Sequence, residues 1–240
     1  MAETKEYMTL EQLEPLLSEN GFEVLGHGTG RRGESEEIVN SIFEEGLRVK
    51  GNSLPQTTIR LSVPSQEIID ANKQFGDPEP TIEELKESLD HWPHLDSSNI
   101  IIARVPREYI NTSADIGDLG GQRYRAFYTK KDEGNGKDRY YLDPAFIIGC
   151  YDREKGQVLL NSKFEREYSP ERIAKMIEGK KEALEEIKAR AEFLKNNPFG
   201  IVRSQTQEEE PQENISDDAW VNDWGDEFPP LDDVKQGPKM

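Results

Sequence analysis

Cysteine is nearly absent from these 240 residues, and so is any long apolar run. A single thiol, Cys150, excludes an internal disulfide and fits a reducing cytoplasm. No stretch approaches the roughly 18 apolar residues that a membrane helix needs, so a soluble protein is expected. Met1 to Met8 mixes acids with lysine and has no apolar run, which does not read as a signal peptide. Positive charge is scarce too. Thirty basic residues face 48 acidic ones, for a net charge of −18. Such a balance does not serve to neutralise phosphates and argues against nonspecific nucleic-acid binding, although a local basic patch stays open. Hydrophobic residues are 34% of the chain and charged residues 32%, so part of it is expected outside any core.

The charge is concentrated at one end. Gln205 to Met240 holds eleven acids and two lysines, so 36 residues carry half of the net charge. From about Ser204 the chain is rich in Glu and Gln and contains Pro211, Pro229 and Pro230, a composition expected to be disordered. Asp217 to Asp233 mixes acids with Trp220, Trp224, Phe228 and Leu231. It reads either as ordinary acidic tail or as a short segment whose aromatics dock on a protein partner.

Apolar periodicity organises the rest. Leu10, Leu13, Leu16 and Leu17 predict a helix over Thr9 to Ser18, ended by Asn20-Gly21. Phe22 to Leu25 is a strand that runs into Gly26-His27-Gly28-Thr29-Gly30. Glu34 to Glu45 is a helix with Ile38, Ile42 and Phe43 on one face and Gly46 as its stop. Thr57 to Val63 alternates as a strand, with Ile59 and Leu61 on one side and Thr58, Arg60 and Ser62 on the other. Pro78 to Asp90 is a helix, Asn99 to Val105 a buried strand, and Tyr124 to Thr129 another strand. Lys130 to Asp138 reads as a charged loop. Phe146 to Tyr151 and Val158 to Leu160 are strands joined by a turn. Ser169-Pro170-Glu171 opens a long helix that reaches about Asn196. The expected organisation is a domain over 1–166, a helix over 167–200 packed on it or extending from it, and a tail over 201–240.

Gly26 and Gly28 flank His27 at the end of the first long strand, where glycine lets backbone approach a ligand closely. The His27 ring can bond a ribose hydroxyl, main-chain groups of Gly28 can pair with a flat amide, and Thr29 adds a hydroxyl. A turn histidine with no ligand is the alternative. His91 and His94 have no nearby cysteine or carboxylate at ligand spacing, so no metal is expected. Cys150, within an apolar strand, reads as a buried hydrophobe.

The order of four segments adds to this. They are His27-Gly28-Thr29, then Ile38 and Ile42, then Glu45-Gly46-Leu47, then Ile59-Arg60-Leu61-Ser62. Together they resemble the opening of the ADP-ribosyltransferase superfamily, in the branch of tRNA 2′-phosphotransferases and poly(ADP-ribose) polymerases. Asp143-Pro144-Ala145-Phe146-Ile147-Ile148-Gly149 resembles that family's closing strand. The resemblance covers residues 22–63 and, more loosely, 99–152. It implies an α+β fold with a split β-sheet and flanking helices, and NAD as a substrate whose ADP-ribose is transferred or which is cleaved. His27 would hold the adenosine ribose, and Gly28 the nicotinamide amide. Ser62 or Thr58 would lie near the nicotinamide. Arg32 or its neighbour Arg31 would face the pyrophosphate, with Arg60 as a further cation. Tyr141 either walls the pocket or packs.

Two departures accompany the likeness. Ala145 stands where relatives often carry an acid, which leaves Asp143 and Glu154 as candidates to stabilise an oxocarbenium-like transition state. The several basic residues of a phosphotransferase reduce to His27 and Arg60, with Arg104, Arg123 or Arg125 as further candidates. A catalytically inactive module that binds a ligand or partner using its acidic aromatic tail, and RNA 2′-phosphotransfer, are the other functions to weigh.

Overall fold

A computed structural model describes residues 5–29, 35–49, 58–92, 99–111, 120–132, 134 and 138–196. The fold is α+β. Strands β1 (Tyr7–Met8), β2 (Phe22–Thr29), β4 (Thr58–Arg60), β5 (Asn99–Pro106), β8 (Ile147–Asp152) and β9 (Gln157–Leu160) form one sheet in the order β1-β9-β8-β5-β2-β4. Every neighbouring pair in it is antiparallel. A second antiparallel sheet joins β3 (Leu47–Val49), β7 (Asp138–Leu142) and β6 (Tyr128–Asp132), in that order. The helices are α1 (Leu10–Leu17), α2 (Ser35–Glu45), α3 (Gln66–Phe75), α4 (Ile82–Asp90) and α5 (Pro170–Asn196).

Alternation along the central strands builds two cores, one on each face of the large sheet. Val24, Ile100, Ile102, Ile148, Tyr151 and Val158 meet Leu10, Leu13 and Leu17 of α1 and Ile82, Leu85 and Leu89 of α4. Leu25, Ile101, Ala103, Ile147 and Cys150 point to the other face, against Val39 and Ile42 of α2 and Met176 of α5. β5 feeds both cores, which is why it reads as an unbroken apolar run and is buried at every residue. Both α1 and α4 begin with a capping box, Thr9 with Gln12 and Thr81 with Glu84, which satisfies amides that the first turn leaves without partners.

The helix stop expected at Gly46 is present. Its φ of +99° is a left-handed conformation, and a Cβ there would stand 2.3 Å from the Leu142 carbonyl oxygen. The α5 helix begins at Pro170 as expected and buries Met176, Ala183 and Ile187.

Several expectations need correction. The strand over Thr57 to Val63 shrinks to Thr58–Arg60, with Ile59 exposed and Leu61 buried just beyond it. Pro78 to Thr81 lies outside the helix, which begins at Ile82. Tyr124 to Phe127 is 3₁₀ helix, and β6 starts only at Tyr128. The charged segment Lys130 to Asp138 contributes both of its ends to strands β6 and β7. Helix α3 and the short strands β1 and β3 have no counterpart in the sequence reading. The expected tail over 201–240 lies outside the described residues.

Candidate functional site

The segment His27-Gly28-Thr29 is the last part of β2, so it is strand and not the turn that its glycines suggest. Gly26 is flat strand, and its missing side chain makes room for Trp92. A Cβ there would come within 2.7 Å of the Trp92 ring and 3.0 Å of Leu61. That glycine therefore serves packing and not the approach of a ligand.

His27 and Thr58 are register partners across β2 and β4. His27 Nδ1 and Thr58 Oγ1 lie 3.0 Å apart and share a hydrogen bond, which fixes the plane of the half-buried ring. Leu25 and Arg60 are the next partners on the same face. Arg60 Nε lies 3.6 Å from Oε1 of Glu23, a buried carboxylate that also accepts from Tyr124 Oη at 3.1 Å. Burial is the main reason that the Tyr124 hydroxyl is pushed well above its ordinary range, with the Glu23 charge adding to it. The structure thus brings together His27, Thr58 and Arg60, with Thr29 two residues beyond His27 on one face of β2. Ser62 is exposed and lies past the end of β4. Arg31 and Arg32, like Trp220, Trp224 and Phe228, lie outside the described residues.

Asp143 lies outside β8 and does not share its alternation. It caps the 3₁₀ turn Pro144–Phe146, where Oδ1 accepts from the Ala145 amide at 2.9 Å. Its Oδ2 accepts from Thr129 Oγ1 at 3.0 Å and pairs with Arg172 Nη1 at 3.2 Å. β8 runs from Ile147, whose partner Ala103 pairs with Leu25, to Cys150, whose partner Ile101 pairs with His27. Asp143, ahead of Ile147, therefore lies toward the end of the sheet remote from His27. Ala145 is 2% exposed, and its carbonyl accepts from the Glu165 amide at 3.0 Å. Glu154 is exposed in the turn between β8 and β9, and its amide donates to Asp152 Oδ1 at 3.0 Å. Tyr141 is buried in the second sheet, between Arg48 of β3 and Thr129 of β6, with Lys131 Nζ 4.7 Å from its ring centre.

The other arginines are committed to the fold. Fully buried Arg104 lies over the Phe22 ring and reaches Glu19 Oε2 at 2.6 Å. Its burial lowers its proton affinity, and the Glu19 charge opposes that. Arg125 reaches Glu186 at 3.2 Å and Tyr140 Oη at 3.3 Å, and Arg123 lies beside the Tyr124 ring.

A cavity of about 110 Å3 opens on the same face as His27, further across the sheet. Cys150 and Leu159 form its floor, beneath Val39 and Asn40 of α2. Asn99 and Asp152, partners in the row that also contains Thr29, line it, as do Lys5, Tyr7, Glu36 and Lys155. Lys5 pairs with Glu36, and Lys155 Nζ stands 2.8 Å from Asp152 Oδ2 and donates to Tyr7 Oη at 3.3 Å. Burial works to raise the Asp152 carboxyl, but hydrogen bonds from the Lys155 ammonium and from the turn amides outweigh it and hold the group below its usual range. The Cys150 thiol is pushed up to about 12, chiefly by burial and further by the Asp152 charge. It is a protonated, buried thiol, the state that its apolar setting implies. Sequence reasoning did not find this cavity, because its residues come from separate elements and share no spacing.

Comparison with protein-family models, curated proteins and solved structures finds no match to this chain.

Proposed function

We propose that this chain is an ADP-ribosyltransferase-like protein that binds NAD, or a related adenine nucleotide, at the β2–β4 end of its large sheet. The observation that carries the reading is the His27–Thr58 pair, in which a threonine hydroxyl 3.0 Å from Nδ1 sets the ring of a strand-end histidine. A ring held in that way is pre-organised to meet a ribose hydroxyl, so little side-chain entropy is lost when the ligand arrives. Thr29 on the same face supplies a second hydroxyl.

Binding without transfer is the better-supported form of this reading. The candidate acid Asp143 is occupied by a cap and an ion pair, and the position just before Phe146 is a buried alanine. A carboxylate that stabilises an oxocarbenium-like charge has to face it at close range. RNA phosphotransfer is disfavoured, because Arg60, Arg104 and Arg125 already face carboxylates. Transfer of ADP-ribose or cleavage of NAD is a second reading. It draws on the β8–β9 turn, which holds Asp152 and Glu154 at the same end of the sheet as Thr29.

Calorimetric titration of NAD into wild type and His27→Ala tests the proposal. The variant is expected to lose about 1–3 kcal/mol of affinity, the cost of leaving a ligand hydroxyl without its partner. Its stability should fall by only about 1 kcal/mol, from the lost bond to Thr58. Absence of NAD binding by the wild type at millimolar concentration refutes the reading. Release of nicotinamide by the wild type, lost in Glu154→Gln, would decide for the transferase form.

A further inference from the structure

The cavity beside α2 is distinct in chemistry from the His27–Thr58 pair. Its rim carries both signs of charge in equal number, two ammonium groups (Lys5, Lys155) and two carboxylates (Glu36, Asp152). The two ion pairs are close enough to feel each other, since Lys155 as well as Lys5 favours the ionised form of Glu36. Asn40 and Asn99 add carboxamides, and Val39, Cys150 and Leu159 give an apolar patch. A simple anion entering here meets two carboxylates, and a simple cation meets two ammonium groups. A molecule with one charge of each sign extends the alternation, its carboxylate toward lysine and its ammonium toward Asp152 or Glu36. Size narrows the class further. An apolar cavity of about 150 Å3 admits benzene, and this one is about 110 Å3. Nicotinamide carries no charge of either sign and makes neither of these charged contacts.

We propose that this cavity is a binding site for a small zwitterion, an α-amino acid of the size of glycine or alanine, with its short side chain against Val39, Cys150 and Leu159. The proposal does not rest on NAD binding. Three of the four charged walls are well exposed, Glu36, Lys5 and Lys155, so solvent screens them and the affinity is modest.

Amide NMR titration of the full chain with alanine tests it, with propionate, ethylamine, nicotinamide and inorganic phosphate as separate arms. Alanine is expected to shift the amides of Tyr7, Asn40, Asn99 and Asp152 saturably, while each of the other probes binds at least about tenfold more weakly, for want of one charge-assisted bond or of both. Lys155→Gln, and independently Lys5→Gln, should weaken alanine by about tenfold while the fold stays intact, because both side chains lie at the surface. His27→Ala should leave the alanine shifts unchanged, which separates this site from the proposed NAD site at His27. The proposal is overturned if alanine gives no saturable shift, if any of the other probes binds as well as alanine, or if both lysine variants bind alanine like the wild type.

Discussion

Replacing Asp143 discriminates between a residue that works on a ligand and one that holds the chain together. Its carboxylate does three things in the structure. It caps the Pro144–Phe146 turn, accepts from Thr129 and pairs with Arg172 of α5. Loss of a cap costs about 0.5–2 kcal/mol, and loss of a hydrogen bond about 0.5–1.5 kcal/mol. The ion pair is partly solvated, with Arg172 at 22% exposure, and Arg172 keeps Glu165 at 2.8 Å, so its loss adds at most about 1 kcal/mol. Asp143→Ala should therefore destabilise by about 2–3 kcal/mol. For a folded unit of this size that lowers the melting temperature by roughly 4–12 °C. Asp143→Asn keeps an acceptor for the Ala145 amide and should lose about half as much. Urea unfolding gives the free energies. Calorimetry with NAD, at a temperature where both proteins are folded, should give the same affinity for Asp143→Ala as for wild type. An Asp143→Ala variant of wild-type stability whose NAD affinity collapses would refute the structural role.

Other perturbations address the packing and the buried thiol. Gly26→Ala places a methyl group 2.7 Å from the Trp92 ring, which is itself fully buried, so an overpacking cost of about 1–3 kcal/mol is expected; an unchanged urea midpoint would contradict it. The Cys150 thiol ionises at about 12 in the fold and at about 8.5 unfolded. Its contribution to stability is present below about pH 8.5 and is lost as pH rises toward 12, because the unfolded chain releases the proton first. Alkaline unfolding curves of the wild type should therefore fall more steeply above about pH 8.5 than those of Cys150→Ala, and coincident slopes would exclude the effect. Native protein at neutral pH should react slowly with a thiol reagent and unfolded protein quickly, as measured by mass; equal rates would show that the cavity floor is open.

What could be read from the sequence follows the amount of apolar surface that each element buries. α1 and α5 were legible because their stripes face one core, and β5 and β8 because their apolar residues enter both. The β6–β7 ribbon was not, since Lys130, Lys131, Asp132 and Asp138 look like loop and, among its described residues, only Tyr141 and Leu142 are buried. α3 has no buried residue; Ile68 packs only partly buried against one core, and Glu67 ties the helix to the Gly21 amide at 3.1 Å and to Arg107 at 2.5 Å. Partners 40 or more residues apart leave no local pattern. At the candidate site, Thr58 and Arg60 were legible as one strand face, and that face does meet His27 and Glu23. Asp143 was misread because a proline after it turns the chain into 3₁₀ helix instead of continuing the strand. Asp152 and Lys155 are neighbours at the β8–β9 turn, but Tyr7 joins them only through the pairing of β1 with β9, which no spacing in the chain announces.

The order of the large sheet also sets when it can form. β8 and β9 are a local hairpin, but β2 waits for β5, and β1 pairs Tyr7 with Leu159. Closing such distant segments costs chain entropy before any contact repays it, so assembly is slow relative to a helical protein of similar stability. During synthesis, β5 with its consecutive isoleucines Ile100 to Ile102 is complete on one side before β8 exists to cover its other edge. This strongly apolar strand thus keeps one edge open until Ile147 and the rest of β8 have been made, and a folding chain of this protein is exposed there to association with its neighbours.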